Sequence, residues 1–252
     1  VLVDFNDPNS WANVWWFIVI ALVILAILFF IFVRPATPAQ DAEGKKDKHP
    51  FVEGLKSLPS WLLAASFMLY NCGFIALTTF MPTYLKSVLM IDPASANLYT
   101  SVLTFLLIVG GFVAGFILKK IKPQNKPILY LVSMICSGII FSFSFVYGAN
   151  MIMVFSVLAG LILQFIPAIM FNNAPDTAPH PALIGVAMGI MSLGQNIGGL
   201  IAGTFSGAII EGFGWTTATF TLIGISVLAV IVAALYALSM KKRDQKKAAI
   251  KE

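Results

Sequence analysis

The chain has 252 residues, of which 59% are apolar and only 11% are Asp, Glu, Lys or Arg, whereas soluble domains average about 45 to 50% and about 25%. So few charged residues cannot coat a water-soluble particle, so the composition excludes a soluble globular protein and predicts an all-α membrane protein. The net charge of +5 does not indicate nucleic-acid binding, because the Lys and Arg residues occur in short bursts between apolar runs.

Seven segments are long and apolar enough to cross a bilayer, which takes about 20 residues. In chain order the predicted transmembrane helices are Trp11–Val33, Trp61–Leu85, Ala96–Leu118, Ile128–Tyr147, Met151–Phe171, Ala182–Ile210 and Thr216–Met240. The fourth and fifth are separated because residues 127–175 carry no charged side chain and would span about 74 Å as one helix. Their turn-like break is Gly148-Ala149-Asn150.

These spans divide the chain into four regions. We predict a first helix in residues 1–34, a cytoplasmic central loop in 35–58, a six-helix bundle in 59–240 and a basic tail in 241–252. The composition of the loop, rich in Pro, Ala and Lys, is typical of a flexible connection.

The basic residues predict how the chain crosses the membrane. With seven alternating spans, fifteen of the sixteen Lys and Arg residues fall on one side, and Lys86 is the exception. The positive-inside rule therefore puts the N-terminus outside and the C-terminus in the cytoplasm of a plasma or inner membrane. The predicted inner loop Asn172–Pro181 is unusual because it has no Lys or Arg.

Two seven-residue motifs form an internal repeat. Val109–Gly115 and Ile197–Gly203 both read apolar-Gly-Gly-apolar-apolar-Ala-Gly. Close-packed membrane helices favour small residues in any case. However, each copy lies in the middle helix of a three-helix unit. Because a unit of three spans crosses the membrane an odd number of times, the second unit is inverted relative to the first, as in the inverted repeats of secondary transporters. The candidates for helix packing or gating are Gly110, Gly111, Gly115, Pro167, Gln195, Asn196, Gly199, Gly203 and Gly207.

Three segments resemble the major facilitator superfamily (MFS) of transporters. Phe80–Leu85 is similar to the Pro-x-Tyr-Leu ending of the family's seventh span, and Asn196–Trp215 is similar to its eleventh span and the following turn. The segment that begins Gly115 and contains Lys119 and Lys120 resembles the second copy of the family's Gly-x-x-x-Asp-Arg-x-Gly loop. Its acidic position is occupied by Lys119 here, which puts the charge relay of that loop in doubt.

The resemblance covers nearly the whole chain and implies the C-terminal half of such a transporter. The first helix would be the sixth of twelve spans, followed by a six-helix bundle of two inverted three-helix repeats. The missing N-terminal half-bundle is then an expected partner, because the chain starts at Val1 on what looks like the end of an outer loop. The Trp-rich start of the first helix and the Asn71-Cys72 pair resemble the cyanate and nitrate-like permease branch.

The seven predicted spans contain no charged side chain, which leaves uncharged polar groups as candidates for binding a solute. The resemblance implies that the family's seventh and tenth spans line the central cavity, which favours Tyr70, Asn71, Gln164 and Phe171 as cavity residues. Alternatively, the amides simply bond one helix to another. Cys72 and Cys136 lie in apolar stretches, so no metal site and no cofactor are expected.

The predicted function is transport of a small solute by alternating access, with the lipid bilayer and that solute as partners and without nucleic acid or enzymatic chemistry. The alternatives are a seven-transmembrane receptor or a membrane protein that does not transport. A retinal receptor needs a Lys deep in a span, and the last predicted helix has none. An enzyme needs a motif such as His-Glu-x-x-His, which the sequence lacks.

Overall fold

A computed structural model describes residues 12–32 and 51–249, and within them all long elements are α-helices, which confirms the predicted fold class. The helices are α1 (Ala12–Phe32), α2 (Phe51–Leu55), α3 (Leu58–Ser87), α4 (Pro93–Lys120), α5 (Lys126–Ser142), α6 (Ile152–Leu163), α7 (Phe165–Thr177) and α8 (Ile184–Ala249). The chain forms two units, Val1–Lys48 and His49–Glu252. The first is described through α1 alone, whose residues are apolar apart from Asn13.

Six helical stretches in the described residues are long and apolar enough to cross a membrane, so the protein is a multi-pass membrane protein. The last of them has 63 residues, a length of about 95 Å if straight, three times a hydrocarbon core. Gly214 interrupts it with φ 83° and ψ 173°, a backbone conformation that glycine adopts without strain. The predicted sixth and seventh helices are therefore the two arms of α8, residues 184–213 and 215–249, joined at a one-residue corner.

The two arms of α8 run in opposite directions through the bundle. The first arm follows α3, because Gly194 contacts Ala64 near the start of α3 and Gly207 lies beside Phe80 near its end. The second arm returns along α5: Trp215 packs on Phe145 just beyond the end of α5, and Tyr236 packs on Tyr130 near its beginning. Each arm thus crosses the bundle once, which accounts for the seven predicted spans.

The predicted fifth helix is broken at Gln164 into α6 and α7. Pro167 explains the break, because it has no N–H to donate to the carbonyl of Leu163, four residues earlier. The hydroxyl of Tyr70 on α3 donates to that same Leu163 oxygen at 2.6 Å. A tertiary hydrogen bond therefore replaces the backbone bond that the proline removes.

Other boundaries differ from the prediction for local reasons. α3 begins at Leu58, three residues early, with Pro59 in its first turn where a missing N–H costs nothing. α4 begins at Pro93, and the Asp92 side chain accepts a hydrogen bond from the Ser95 N–H. α7 continues to Thr177, so the predicted inner loop Asn172–Pro181 is largely helical.

Aromatic side chains close the end of the bundle where α3 and α5 finish. Tyr84 contacts Phe145, Tyr147 and Trp215, and its hydroxyl donates to the Tyr147 carbonyl at 2.9 Å. Because Trp215 directly follows Gly214, this cluster holds the corner of α8 against α3.

Candidate functional site

Both copies of the repeated glycine motif lie at a close helix crossing. The first glycine of each pair faces the backbone of another helix, so a methyl group would collide with the Leu161 carbonyl oxygen at Gly110 and with the Met68 carbonyl oxygen at Gly198. The middle helix of each predicted three-helix unit thus packs on the first helix of the other unit: α4 on α6, and the first arm of α8 on α3. This reciprocal contact supports the predicted repeat.

The second glycine of each pair faces an amide side chain. A Cβ atom at Gly111 would lie 3.2 Å from Cγ of Gln164, and one at Gly199 would lie 3.3 Å from Nδ2 of Asn71. In both copies the amide residue follows the contacted carbonyl by three positions. Asn71 and Gln164 therefore occupy equivalent places in the two halves of the repeat.

The two amides differ in their hydrogen bonds. Asn71 is 8% exposed, and its Nδ2 donates to the Gln195 backbone oxygen at 2.7 Å. The half-buried side chain of Gln164 makes no hydrogen bond with any described residue. An amide without a protein partner needs water or a ligand, so Gln164 is the more available of the two for a solute.

The other two predicted cavity residues lie in different environments. Tyr70 is buried with its ring between Phe67 and Phe74 and its hydroxyl on Leu163. Phe171 is 45% exposed and touches Phe67 edge to face. Because Tyr70 and Leu163 are bonded and Asn71 and Gln164 follow them in the chain, both amides lie at one level of the bundle.

The remaining candidates separate into contacts and open positions. A Cβ at Gly207 would meet the ring of Phe80 at 3.4 Å, whereas Gly115 and Gly203 have nothing within 4 Å. Asn196 is exposed and bonds to the Ser192 carbonyl of its own helix at 2.8 Å. The side chain of Gln195, like that of Gln164, bonds to no described residue. Lys119 and Lys120 are exposed in the last turn of α4, with Lys119 over the Phe116 ring.

Three important glycines were not among the predicted candidates. Gly198 and Gly194 make the closest approaches to α3, and a Cβ at Gly160 would lie 2.6 Å from the Leu103 carbonyl oxygen. Gly194 and Gly198 form a Gly-x-x-x-Gly pair in the sequence, a signal that was available and that favours close helix contact. Gly160 has no such partner in the sequence.

A polar network joins the opposite end of the bundle from the aromatic cluster. We call this the basic end, because it carries Lys56, Lys119, Lys120, Lys122, Lys126, Lys241, Lys242 and Arg243. Arg243 donates to the backbone oxygens of Asp176 and Thr177 at the end of α7, and Lys126 pairs with the Asp176 carboxylate at 3.2 Å. The Ser57 hydroxyl, before α3, donates to the Thr177 oxygen at 2.8 Å.

Sequence comparison connects this architecture to a family. The profile of the Major Facilitator Superfamily matches residues 3–183 and residues 126–252.

Within the residues that the structure describes, no group of His, Cys, Asp and Glu could hold a metal ion.

Several curated proteins are similar to this chain. The putative metabolite transport protein NicT of Pseudomonas putida is 24% identical over 69% of this chain and 39% of its own length. The sodium-dependent phosphate transport protein 1 of Mus musculus is 26% identical over 79% of the chain and 45% of its own. The nitrite extrusion protein of Bacillus subtilis is 24% identical over 90% and 56%, respectively. The chain thus spans about half the length of these relatives.

Proposed function

The chain belongs to the major facilitator superfamily, as its motifs predicted, and on that premise we propose that it forms the C-terminal half of a secondary transporter that works by alternating access. Its relatives are named for membrane transport, and one of them for nitrite, in line with the predicted nitrate-like branch. The proposed partner is a second half-bundle, because the chain spans about half of each relative.

The observation that carries the proposal is the reciprocal glycine–amide contact. Two equivalent helix crossings, each with an amide against the second glycine, are what an inverted repeat would produce. In such transporters the solute binds near the bilayer midplane at the interface of the repeats. Gln164, at the break between α6 and α7, is the proposed solute contact, and Asn71 and Phe171 flank it on α3 and α7.

The proposed orientation places the basic end in the cytoplasm, in accordance with the positive-inside rule. Of the described Lys and Arg residues, Lys86 alone lies toward the aromatic end. We expect no enzymatic activity, since the proposed mechanism moves a solute without changing it.

Transport by the complete two-half protein tests this proposal. In proteoliposomes, we would measure uptake and efflux of nitrite, nitrate and phosphate, because relatives are named for nitrite and phosphate. Loss of one hydrogen bond to the solute is worth roughly 1 kcal/mol, so Gln164→Leu should raise KM about fivefold. Asn196→Leu is the matched control, because Asn196 bonds within its own helix.

The outcomes separate clearly. Transport of any of these solutes, with KM raised by Gln164→Leu and unchanged by Asn196→Leu, supports the proposed cavity. Transport that is unaffected by Gln164→Leu would contradict the role of Gln164. A protein with two intact halves that moves none of a broad panel of small solutes would contradict transport itself.

A further inference from the structure

A polar cavity of about 690 Å³ opens at the basic end, between the start of α5, the end of α7 and the second arm of α8. It lies far along the helices from Gln164 and has no part in the proposed transport site. Its lining includes Gln124, Lys126, Asn173, Asp176, His180 and Arg243. It is a concave polar region formed entirely within the unit His49–Glu252.

Asn173 is the unusual member of this lining. Its side chain is 1% exposed, yet neither its Nδ2 nor its Oδ1 atom has a hydrogen-bond partner among the described residues. A buried amide left in this state is costly, and buried polar groups in proteins are nearly always paired. Asn173 lines the cavity, so a rotation of its amide toward the cavity would let a polar ligand there supply the missing partners.

The charges around the cavity favour an anion. Lys126 and Arg243 bring two positive charges, whereas Asp176 brings one negative charge and is already paired with Lys126. Arg243 uses two N–H groups on the backbone oxygens of Asp176 and Thr177, and its buried Nε–H has no described partner. Lys126 keeps further N–H donors beyond the one directed at Asp176.

The Oδ1 atom of Asn173 further restricts the class of anion that fits the cavity. It is an acceptor, so an anion that satisfies both ends of the amide must also carry a hydroxyl group. Singly protonated phosphate has this combination, and so does the phosphoglycerol head of an anionic lipid. We propose that this cavity binds a hydroxyl-bearing phosphate group, with Lys126 and the Asn173 amide as its principal contacts.

This proposal also explains why the predicted inner loop Asn172–Pro181 has no Lys or Arg of its own. Lys126 from α5 and Arg243 from α8 reach its residues Asp176 and Thr177. The positive charge of this part of the basic end is thus supplied by neighbouring helices and directed at the cavity.

The first experiment tests whether the ligand is free phosphate. It measures thermal unfolding of the purified chain in detergent as inorganic phosphate is increased. A ligand that binds only the folded state raises Tm saturably. Lys126→Gln and Asn173→Leu should each weaken phosphate binding about tenfold, since each removes a direct contact. Asn173→Leu should also raise Tm without phosphate, because it removes an unpaired buried amide.

Two controls locate the binding site. Lys119→Gln removes an equal charge at the same end but outside the cavity, and it should retain wild-type phosphate affinity. Gln164→Leu alters only the proposed transport site, and it should retain the part of the phosphate-induced rise in Tm that Lys126→Gln removes. An equal loss of phosphate affinity in Lys119→Gln and Lys126→Gln would show that phosphate responds only to the surface charge of the basic end, and it would overturn the proposal. If Gln164→Leu lost phosphate affinity and Lys126→Gln retained it, the phosphate would be bound at the transport site, and the proposal would also be overturned.

The second experiment, in nanodiscs, tests whether the ligand is the head group of an anionic lipid. If free phosphate has no effect, nanodiscs that contain phosphatidylglycerol should raise Tm relative to phosphatidylcholine alone, and Lys126→Gln and Asn173→Leu should abolish the difference. That result supports the cavity with a lipid as its ligand. No stabilisation by free phosphate or by phosphatidylglycerol overturns the proposal, whatever the outcome of the transport assay.

Discussion

The two glycine-motif crossings have the same backbone contact but differ in their amides. At the α8–α3 crossing, Asn71 is nearly buried and donates to a backbone oxygen of α8. At the α4–α6 crossing, Gln164 lies at a helix break, and its side chain bonds to no described residue. Equivalent positions in a repeat can therefore take different roles, and we assign packing to Asn71 and solute contact to Gln164.

The largest expected effect comes from the glycines that both crossings share. Gly198→Ala and Gly110→Ala each place a methyl group against a backbone carbonyl that cannot move aside, and such overpacking costs roughly 2 kcal/mol. Unfolding in mixed detergent micelles measures this loss. If the two crossings are equivalent, the two losses are similar.

The matched controls are Gly203→Ala and Gly115→Ala, at the last position of each motif, where nothing lies within 4 Å. In a helix this change is neutral or stabilising, by up to about 1 kcal/mol. Equal destabilisation at Gly203 and Gly198 would mean that the crossing is not held by close backbone contact.

The next effect concerns the hydrogen bond that supports the break beside Gln164. Tyr70→Phe leaves the Leu163 oxygen without its 2.6 Å donor, at a cost of roughly 1.5 kcal/mol. In a Pro167→Ala background the restored backbone N–H can reach that oxygen, so the cost of Tyr70→Phe should largely disappear. A double-mutant cycle measures this coupling, and additive losses would show that Tyr70 does not replace the missing N–H.

Most of the fold follows from the sequence, because span length and the absence of charge are properties of segments. The corner at Gly214 and the break at Gln164 do not follow in the same way. The turn-like residues 212–215 predicted a loop, whereas Trp215 packs into the aromatic cluster and leaves a single non-helical residue. Pro167 was a predicted packing or gating residue, but the hydroxyl from α3 that bonds to the Leu163 oxygen beside the break is not visible in the sequence.

The candidate site was predictable in part. Asn71 and Gln164 stand out as amides in apolar helices, and the two glycine motifs are visible in the sequence. That each amide faces the second glycine of the other unit depends on helix pairing, which the sequence does not state. The cavity at the basic end also needs the structure, because Lys126, Asn173 and Arg243 are far apart in the chain.

A smaller effect separates the two amides themselves. Asn71→Leu removes an interhelical hydrogen bond, and in membranes such bonds average about 0.6 kcal/mol. Gln164→Leu removes no bond to a described residue and should leave the unfolding free energy unchanged or slightly raised. A larger stability loss in Gln164→Leu than in Asn71→Leu would reverse the assignment of the two roles.

The smallest effect lies outside the comparison, at the start of α4. The hydrogen bonds from Ser95 hold the pKa of the exposed Asp92 carboxyl below its usual value. Its contribution to stability is therefore present above the unfolded-state pKa and disappears as the pH falls through the folded-state pKa. Asp92→Asn should lower Tm slightly at pH 7 and not at pH 2, and an equal difference at both pH values would contradict this.

The most direct test is the water accessibility of the two amide positions in the complete transporter. In a Cys72→Ala/Cys136→Ala background, Gln164→Cys and Asn71→Cys would be labelled in sealed vesicles with a membrane-impermeant thiol reagent. The difference between the crossings predicts rapid labelling at position 164, and the transported solute should slow it. Labelling at position 71 should be about tenfold slower, because opening a packed crossing costs at least about 1.4 kcal/mol. Absence of labelling at 164, or equal rates at both positions, would contradict the assignment of Gln164 as the solute contact.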